Sequence, residues 1–336
     1  MLTNNSLKYH FHPAKGWIND PNGLSYFKGK YHIFYQYQPD VEYPCSTAIW
    51  GHAVTENFRD YEELPPALVN DRPYDRLGVW SGTAIEYGGM LYAFYASVTE
   101  QGRQTISVAR SEDGIHFEKY AGNPVIFEHP AETGNNFRDP AVMKDGDKIY
   151  MVVASADTER HSGTLLLYVS DNCFDWEYAG VLREYPGARF CECPSFIKYG
   201  EGYVLSVSVD TGNGHYFEVL YGNFDGLSFT PEIVSHFQKG PDEYAGQIFR
   251  APDGRAILMS WIPGWQYQPK HKCIGCLSLP LELTVDNASR EILAYPIAEV
   301  RDLVGADGVV NDAYVKETYV DGGREVYIEL TSVPDT

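Results

Sequence analysis

The chain has 336 residues, with 26 Lys+Arg against 46 Asp+Glu, a net charge of −20 and 44% hydrophobic residues. It is long enough for one large domain plus a remnant, and its acidic balance repels phosphate backbones and anionic headgroups, which argues against nucleic-acid and membrane-surface partners. No run approaches the roughly 18 apolar residues of a membrane span, and residues 1–9 lack the apolar stretch of a secretory signal, so a cytoplasmic location is expected.

In chain order, short β-rich runs dominate: residues 31–37, 90–97, 105–109, 148–154, 164–169, 203–209, 216–221 and 256–261. Turn signals separate them, among them Lys28-Gly29-Lys30, Tyr87-Gly88-Gly89, Asp145-Gly146-Asp147 and Tyr199-Gly200-Glu201-Gly202. No long segment has helical periodicity, so the chain reads as all-β. Aromatic residues make up 14% of it. They suit both sheet cores and sugar faces.

The runs repeat. A Ser/Thr/Asn, then Asp/Asn two on, then an aromatic six on, recurs as Thr55/Asn57/Tyr61, Ser111/Asp113/Phe117, Ser170/Asn172/Trp176 and Asn223/Asp225/Phe229. Half a period out of phase stand Asp20, Ser81, Asp139, Glu192 and Tyr244, between 52 and 61 residues apart. Periods of this size, each holding about four strands, predict propeller blades. Five of them reach residue 300. Equivalent positions in successive blades form a ring, so this series is expected to face one central funnel. Beyond residue 300 only 325–333 reads as a strand. Residues 301–336 are expected to be the truncated start of a C-terminal β-sandwich, or a strap.

The six cysteines offer no metal-ligand pattern. Cys273 and Cys276 form one C-x-x-C, and Cys191 and Cys193 are too close to supply the second pair. They are expected as free thiols packed as small hydrophobes. His10, His12, His32 and His52 likewise lack ligand spacing, so no metal and no cofactor is expected.

The acids carry the chemistry. Asp20 lies in Trp17-Ile18-Asn19-Asp20-Pro21-Asn22-Gly23, Asp139 in Phe137-Arg138-Asp139-Pro140, and Glu192 in Cys191-Glu192-Cys193-Pro194. Carboxylates crowded into one cavity repel and lose hydration, which raises their pKa values unevenly. Glycoside hydrolysis uses such a set: one ionised carboxylate and one protonated carboxyl.

These strings, with Phe34-Tyr35-Gln36-Tyr37-Gln38-Pro39, Trp50-Gly51-His52-Ala53, Trp80-Ser81-Gly82, Asp242-Glu243-Tyr244-Ala245 and Leu277-Ser278-Leu279-Pro280, occur in a recognisable order. From His10 to about Leu303 the chain resembles the glycoside hydrolases that include invertases, levanases, inulinases and sucrose-6-phosphate hydrolases. The resemblance implies a five-bladed β-propeller, normally followed by a β-sandwich of which only a stub is present here. It also implies a retaining β-fructofuranosidase acting on sucrose or short fructans. Asp20 would be the nucleophile, Glu192 the acid/base, and Asp139 the stabiliser of the transition state. Asn19, Gln36, Ser81 and Arg138 would bind hydroxyls or orient carboxylates. Trp17, Trp80, Tyr244 and Trp261 would form pocket walls, and Trp50 would be a further substrate-binding residue. A fructosyltransferase on the same site and a non-catalytic fructan-binding propeller are the alternatives. An arabinan- or xylan-cleaving propeller lacks support from the Trp17 to Gly23 string.

Departures from the family pattern shift expected preference. Cys45 replaces a tryptophan, Ser195 replaces the acid of Glu-Cys-Pro-Asp, and Cys191 replaces an apolar residue. Lys270-His271-Lys272 is a basic cluster that could hold a phosphorylated sugar, or simply be a solvated loop. The uncovered propeller flank would leave oligomerisation open.

Overall fold

The computed structural model describes residues 7–40, 47–134, 136–264 and 275–331. Five antiparallel sheets form the blades. Blade 1 is β1 (Trp17–Phe27), β2 (Lys30–Gln38), β3 (Ile49–Thr55) and β4 (Tyr61–Leu68). Blade 2 is β5 (Gly78–Tyr87), β6 (Met90–Val98), β7 (Gln104–Ser111) and β8 (Glu118–Lys119). Blade 3 is β9 (Asn136–Asp145), β10 (Lys148–Asp157), β11 (Ser162–Ser170) and β12 (Glu177–Pro186). Blade 4 is β13 (Phe190–Tyr199), β14 (Gly202–Asp210), β15 (His215–Phe224) and β16 (Phe229–Ser235). Blade 5 is β17 (Tyr244–Arg250), β18 (Ala256–Ile262), β20 (Leu281–Asp286) and β21 (Glu291–Pro296), with the short β19 (Cys276–Leu277) paired to β18.

The repeat read from the sequence is the corner between the third and fourth strands. Thr55 Oγ1 accepts from Asn57 N and Phe58 N, and Asn57 Oδ1 accepts from Arg59 N and Asp60 N. Asp113, Asn172 and Asp225 cap the same turn in blades 2 to 4. Each short side chain satisfies turn N–H groups that no ladder reaches. Blade 5 has the turn too, with Asp286 Oδ1 accepting from Ala288 N and Ser289 N. That copy escapes the sequence pattern because Arg290 stands where the aromatic is expected.

The hydrophobic core lies in the seams between blades. Ile18, Leu24 and Tyr35 of blade 1 pack on Ile257 and Met259 of blade 5. Phe34 and Trp50 meet Leu91 and Tyr95 across the next seam. Most of the aromatic content goes here, in contacts such as Phe94–Trp176 at 5.7 Å and 87° and Phe196–Phe229 at 5.9 Å and 86°. The geometry is the edge-to-face arrangement that ring quadrupoles favour.

The innermost strands β1, β5, β9, β13 and β17 are stitched side by side around the axis. Asn22 Oδ1 accepts Gly82 N (3.3 Å), Thr83 Oγ1 donates to Pro140 O (3.0 Å), and Cys193 N donates to Asp139 Oδ2 (3.0 Å). Ser195 Oγ accepts Ile248 N (2.8 Å). Gln247 closes the ring, accepting Leu24 N and donating to Gly82 O.

After residue 300 the structure departs from the single strand read there. Three strands, β22 (Val309–Asp312), β23 (Val315–Val320) and β24 (Glu325–Leu330), form one sheet packed on blades 4 and 5. β23 is hidden in the sequence because its inward series is Val315, Glu317, Tyr319, and the central acid breaks the apolar alternation. Glu317 is tolerated inside because His10 meets it. His10 Nε2 lies 3.1 Å from Glu317 Oε1 and Nδ1 lies 2.9 Å from Asp312 Oδ2, with all three side chains buried. Two carboxylates facing both ring nitrogens require both to carry protons, so the ring is an imidazolium. This clasp ties the start of the described chain to its end.

Candidate active site

In every innermost strand the pairing register slips at the same level. The slips fall between Ile18 and Pro21, Val79 and Gly82, Arg138 and Ala141, Glu192 and Ser195, and Tyr244 and Gln247. Bulges bend a strand and re-aim its side chains. Asp139, Cys193 and Ala245 take φ of +56°, +49° and +54° within them, a conformation that costs energy in residues with a Cβ and concentrates at functional sites. Pro140 and Pro194 fall inside bulges, where a ladder N–H is not needed. The ring of bulges explains why Asp20, Ser81, Asp139, Glu192 and Tyr244 turn together toward one end of the channel. At the far ends of the same strands, a cavity of about 430 Å³ lined by residues such as Thr83, Val142 and Ile248 holds none of the three acids.

Contacts join the acids into one cluster. Ser81 Oγ donates to Asp20 Oδ2 at 2.6 Å and Asn19 Nδ2 donates to Asp20 Oδ1 at 3.1 Å. The Cys193 thiol lies 3.5 Å from Asp20 Oδ2 and 3.7 Å from Asp139 Oδ2, so one sulfur touches carboxylates from two blades. Arg138 Nη2 donates to Glu192 Oε1 at 2.7 Å, while its Nε is 3.9 Å from Asp139 Oδ2. Tyr244 donates its hydroxyl to Glu192 Oε2. Asp20 and Glu192 are half-buried, whereas Asp139 is buried.

Burial sets the electrostatics. It raises the pKa of Asp139 to about 7; Arg138 opposes the rise, and the charges of Glu192 and Asp20 add to it. Burial also raises Asp20, with Glu192 contributing, while Ser81, Asn19 and Cys193 hold it down through hydrogen bonds. Burial keeps the Cys193 thiol protonated, so it is a donor and not a nucleophile. Burial opposes the charge on Arg138, but Glu192 and Asp139 outweigh it. One cation thus meets two of the three carboxyl groups, Glu192 and Asp139.

The other residues read from the sequence fall into two groups. Trp17, Tyr244 and Trp261 form an apolar cluster with Cys193 beneath the acids, Trp17 and Trp261 meeting edge-on at 5.9 Å and 75°. Trp80 is half-buried beside Ser81. Gln36 is buried and donates to Val79 O at 2.9 Å, which ties β2 to the bulge of β5. Trp50 departs from the expectation of a substrate-binding residue. It is wholly buried in a seam, and its indole N–H donates to Trp80 O at 2.9 Å. Gly23 makes room for it. A Cβ at Gly23 would stand 2.9 Å from the Trp50 ring and 2.8 Å from Phe34, at a φ of +54°.

Two contributors escaped the sequence reading. Cys193 was expected as filler, although its place beside Glu192 was the available signal. Phe190, at the start of β13, lies under Arg138 at 5.2 Å and Arg189 at 5.0 Å, a cation–π stack that orients Arg138. Ser195 leaves no gap where the family has an acid, because it accepts Ile248 N. Cys191 is buried against Gly163. Cys173, Cys191, Cys193 and Cys276 are free thiols, all buried. Cys45, Cys273 and Lys270-His271-Lys272 lie outside the described residues. Among the described residues, no helix is long and apolar enough to cross a membrane.

Comparison with known proteins places this geometry. The family model described as "Glycosyl hydrolases family 32 N-terminal domain" matches residues 10–296. A sucrose-6-phosphate hydrolase of Zymomonas mobilis is 36% identical, the match covering 88% of this chain and 62% of that protein. A levanase of Bacillus subtilis is 32% identical over 89% of this chain and 48% of its own length. Among solved structures, a β-fructofuranosidase of Bombyx mori superposes with a TM-score of 0.77 at 29% identity, covering 94% of this chain and 70% of that one. The chain thus spans 62% of the length of the Zymomonas relative and about half that of the levanase.

Proposed function

The chain belongs to glycosyl hydrolases family 32, and from that premise we propose that it is a retaining β-fructofuranosidase that releases terminal β-fructosyl units from sucrose or short fructans. Asp20 attacks C2 of the fructosyl unit from the face opposite the leaving group. Ser81, Asn19 and Cys193 donate to its carboxylate and aim it. As the C2–O bond breaks, Glu192 gives its proton to the departing oxygen. A fructosyl ester on Asp20 remains. Glu192, now ionised, takes a proton from water, whose oxygen bonds to C2 and frees Asp20. Two displacements restore the starting configuration. Asp139 takes no part in bond making. It accepts hydrogen bonds from the sugar hydroxyls, and its negative charge stabilises the positive charge that develops on the ring.

One observation carries the reading: three carboxyl groups from blades 1, 3 and 4 are joined into one cluster by the Cys193 thiol and the Arg138 guanidinium. The substrate is proposed to be a β-fructoside, because the relatives' names include hydrolases of sucrose 6-phosphate and of levan. Incubation with sucrose, sucrose 6-phosphate, inulin and levan, with products separated by chromatography, tests it. Free fructose is the expected product of at least one, released together with glucose 6-phosphate where sucrose 6-phosphate is the substrate. No release from any of the four would overturn the proposal.

A further inference from the structure

The segment that leads into β17 is held by the C-terminal sheet. Val326 N donates to Phe237 O (2.9 Å), Lys239 N to Val326 O (2.8 Å), and Asp242 N to Ile328 O (3.3 Å), so residues 237–242 run along β24 as an added strand. Gly240 permits the approach, since a Cβ there would stand 2.3 Å from both Ile328 N and Ile328 O. Asp242 completes the ladder with its side chain, Oδ2 accepting Leu330 N at 3.0 Å. Two residues later, Tyr244 opens β17 and donates to Glu192. Glu243 between them is buried, and Gln238 donates to its carboxyl. Burial, and after it the charge of Glu317, raises its pKa well above the usual carboxylate range.

Two residues span roughly 7 Å of chain, and a hydrogen bond weakens steeply with small changes of distance and angle. A shift of the segment against β24 is therefore carried toward the phenol. We propose that Asp242 is a positioning residue for the acid/base: by holding Leu330 N–H it pins residues 237–244 to β24 and fixes the Tyr244 hydroxyl on Glu192. The inference rests on the reading of Glu192 as acid/base. It adds that the sheet following the propeller is part of the catalytic apparatus.

A double-mutant cycle with two substrates tests it. Sucrose needs a proton delivered to its leaving group, whereas a nitrophenyl β-fructofuranoside needs little. Asp242→Ala is expected to lower kcat on sucrose about ten-fold, with KM within about two-fold. The first-step release of nitrophenol should stay within about two-fold of wild type. In a Tyr244→Phe background, adding Asp242→Ala should cost less than about two-fold, because its route of action is already gone. Asp242→Asn keeps an acceptor for Leu330 N–H and should restore most of kcat. Equal losses on both substrates, or full additivity with Tyr244→Phe, would overturn the inference. Should Asp242→Ala fail to fold, Gly240→Ala loosens the same ladder and is held to the same pattern, and wild-type kinetics in that variant would overturn the inference. Glu192→Gln separates the two failures. If it still hydrolyses sucrose, the acid/base reading falls and takes the inference with it. If it is inactive while Asp242 behaves additively, the inference alone falls.

Discussion

Two clusters of acids in this molecule are in opposite states: the clasp of Asp312 and Glu317 about His10, and the cup formed by Asp20, Asp139 and Glu192. In the clasp, Asp312 and Glu317 face an imidazolium, and backbone N–H groups of Lys8, Tyr9 and His10 also reach Asp312. Burial works against the charges there, yet the hydrogen bonds and the opposite charge prevail: His10 is raised to about 9 and Asp312 lowered to about 2. In the cup, one guanidinium meets only Glu192 and Asp139, and burial with the charges of Glu192 and Asp20 lifts Asp139 to about 7. The clasp is satisfied and serves structure. The cup is left short of positive charge, and in the proposed reaction the sugar supplies the missing donors and takes on positive charge in the transition state.

The widest contrast is expected from removing one acid in the cup. Asp20→Asn and Glu192→Gln should each lower kcat on sucrose by roughly a thousand-fold or more. Asp20→Asn should not lower the melting temperature, because it relieves repulsion by Glu192. Activity assays and thermal unfolding of the same samples check both halves, and a large loss of stability would erase the distinction drawn between the clusters. His10→Gln should do the reverse in the clasp. It leaves two buried carboxylates without their cation, at a cost of about 3 kcal/mol seen as a lower denaturant midpoint.

The pH dependence of stability sharpens the comparison. The contribution of His10 is whole below its unfolded value of 6.5 and is lost as pH rises through about 9. That of Asp312 is present above 3.8 and is lost as pH falls through about 2. Asp139 has the unfavourable sign for a carboxyl: its raised value makes stability fall as pH climbs from 3.8 through about 7. Asp139→Asn should flatten the decline in the lower window, and His10→Gln the decline between 6.5 and 9. Denaturant midpoints across pH for both variants measure this. The smallest effect is expected at Ser195→Ala, which orphans Ile248 N–H in the inner ring. It should cost about 1 kcal/mol and leave kcat within about two-fold.

How much of this was legible in the sequence follows from which residues do two jobs. The second strands of the blades and the third strands of blades 2 to 4 read plainly, because residues such as Ile33, Phe94, Val108, Leu166, Leu205 and Val219 do nothing but pack. The innermost strands did not read as strands. Their bulges carry Asp20, Pro140, Pro194 and Gly246, residues that local propensity assigns to turns. Their spacing, by contrast, exposed them as a ring, because five equivalent blades force a period that composition cannot hide. The acids were legible for that reason and through the strings around them. Trp50 was misplaced because a tryptophan in a sugar-binding motif looks the same whether its ring faces the ligand or the seam. Cys193 was missed because a thiol becomes a donor only when its neighbours bring two carboxylates to it. The sheet after residue 300 was hidden by Glu317, whose inward position makes sense only once His10, at the other end of the chain, lies beside it.

The claim that Asp20 attacks the sugar is tested most directly by trapping what it forms. Glu192→Gln, mixed with a nitrophenyl β-fructofuranoside, should lose nitrophenol in a single turnover and hold the fructosyl group, since the residue that activates water is gone. Mass spectrometry of the quenched protein should show one added fructosyl unit, and fragmentation should place it on the peptide containing Asp20. A fructosyl group on another residue, or turnover of the substrate by wild type with no adduct at Asp20 under any quench, would contradict the account.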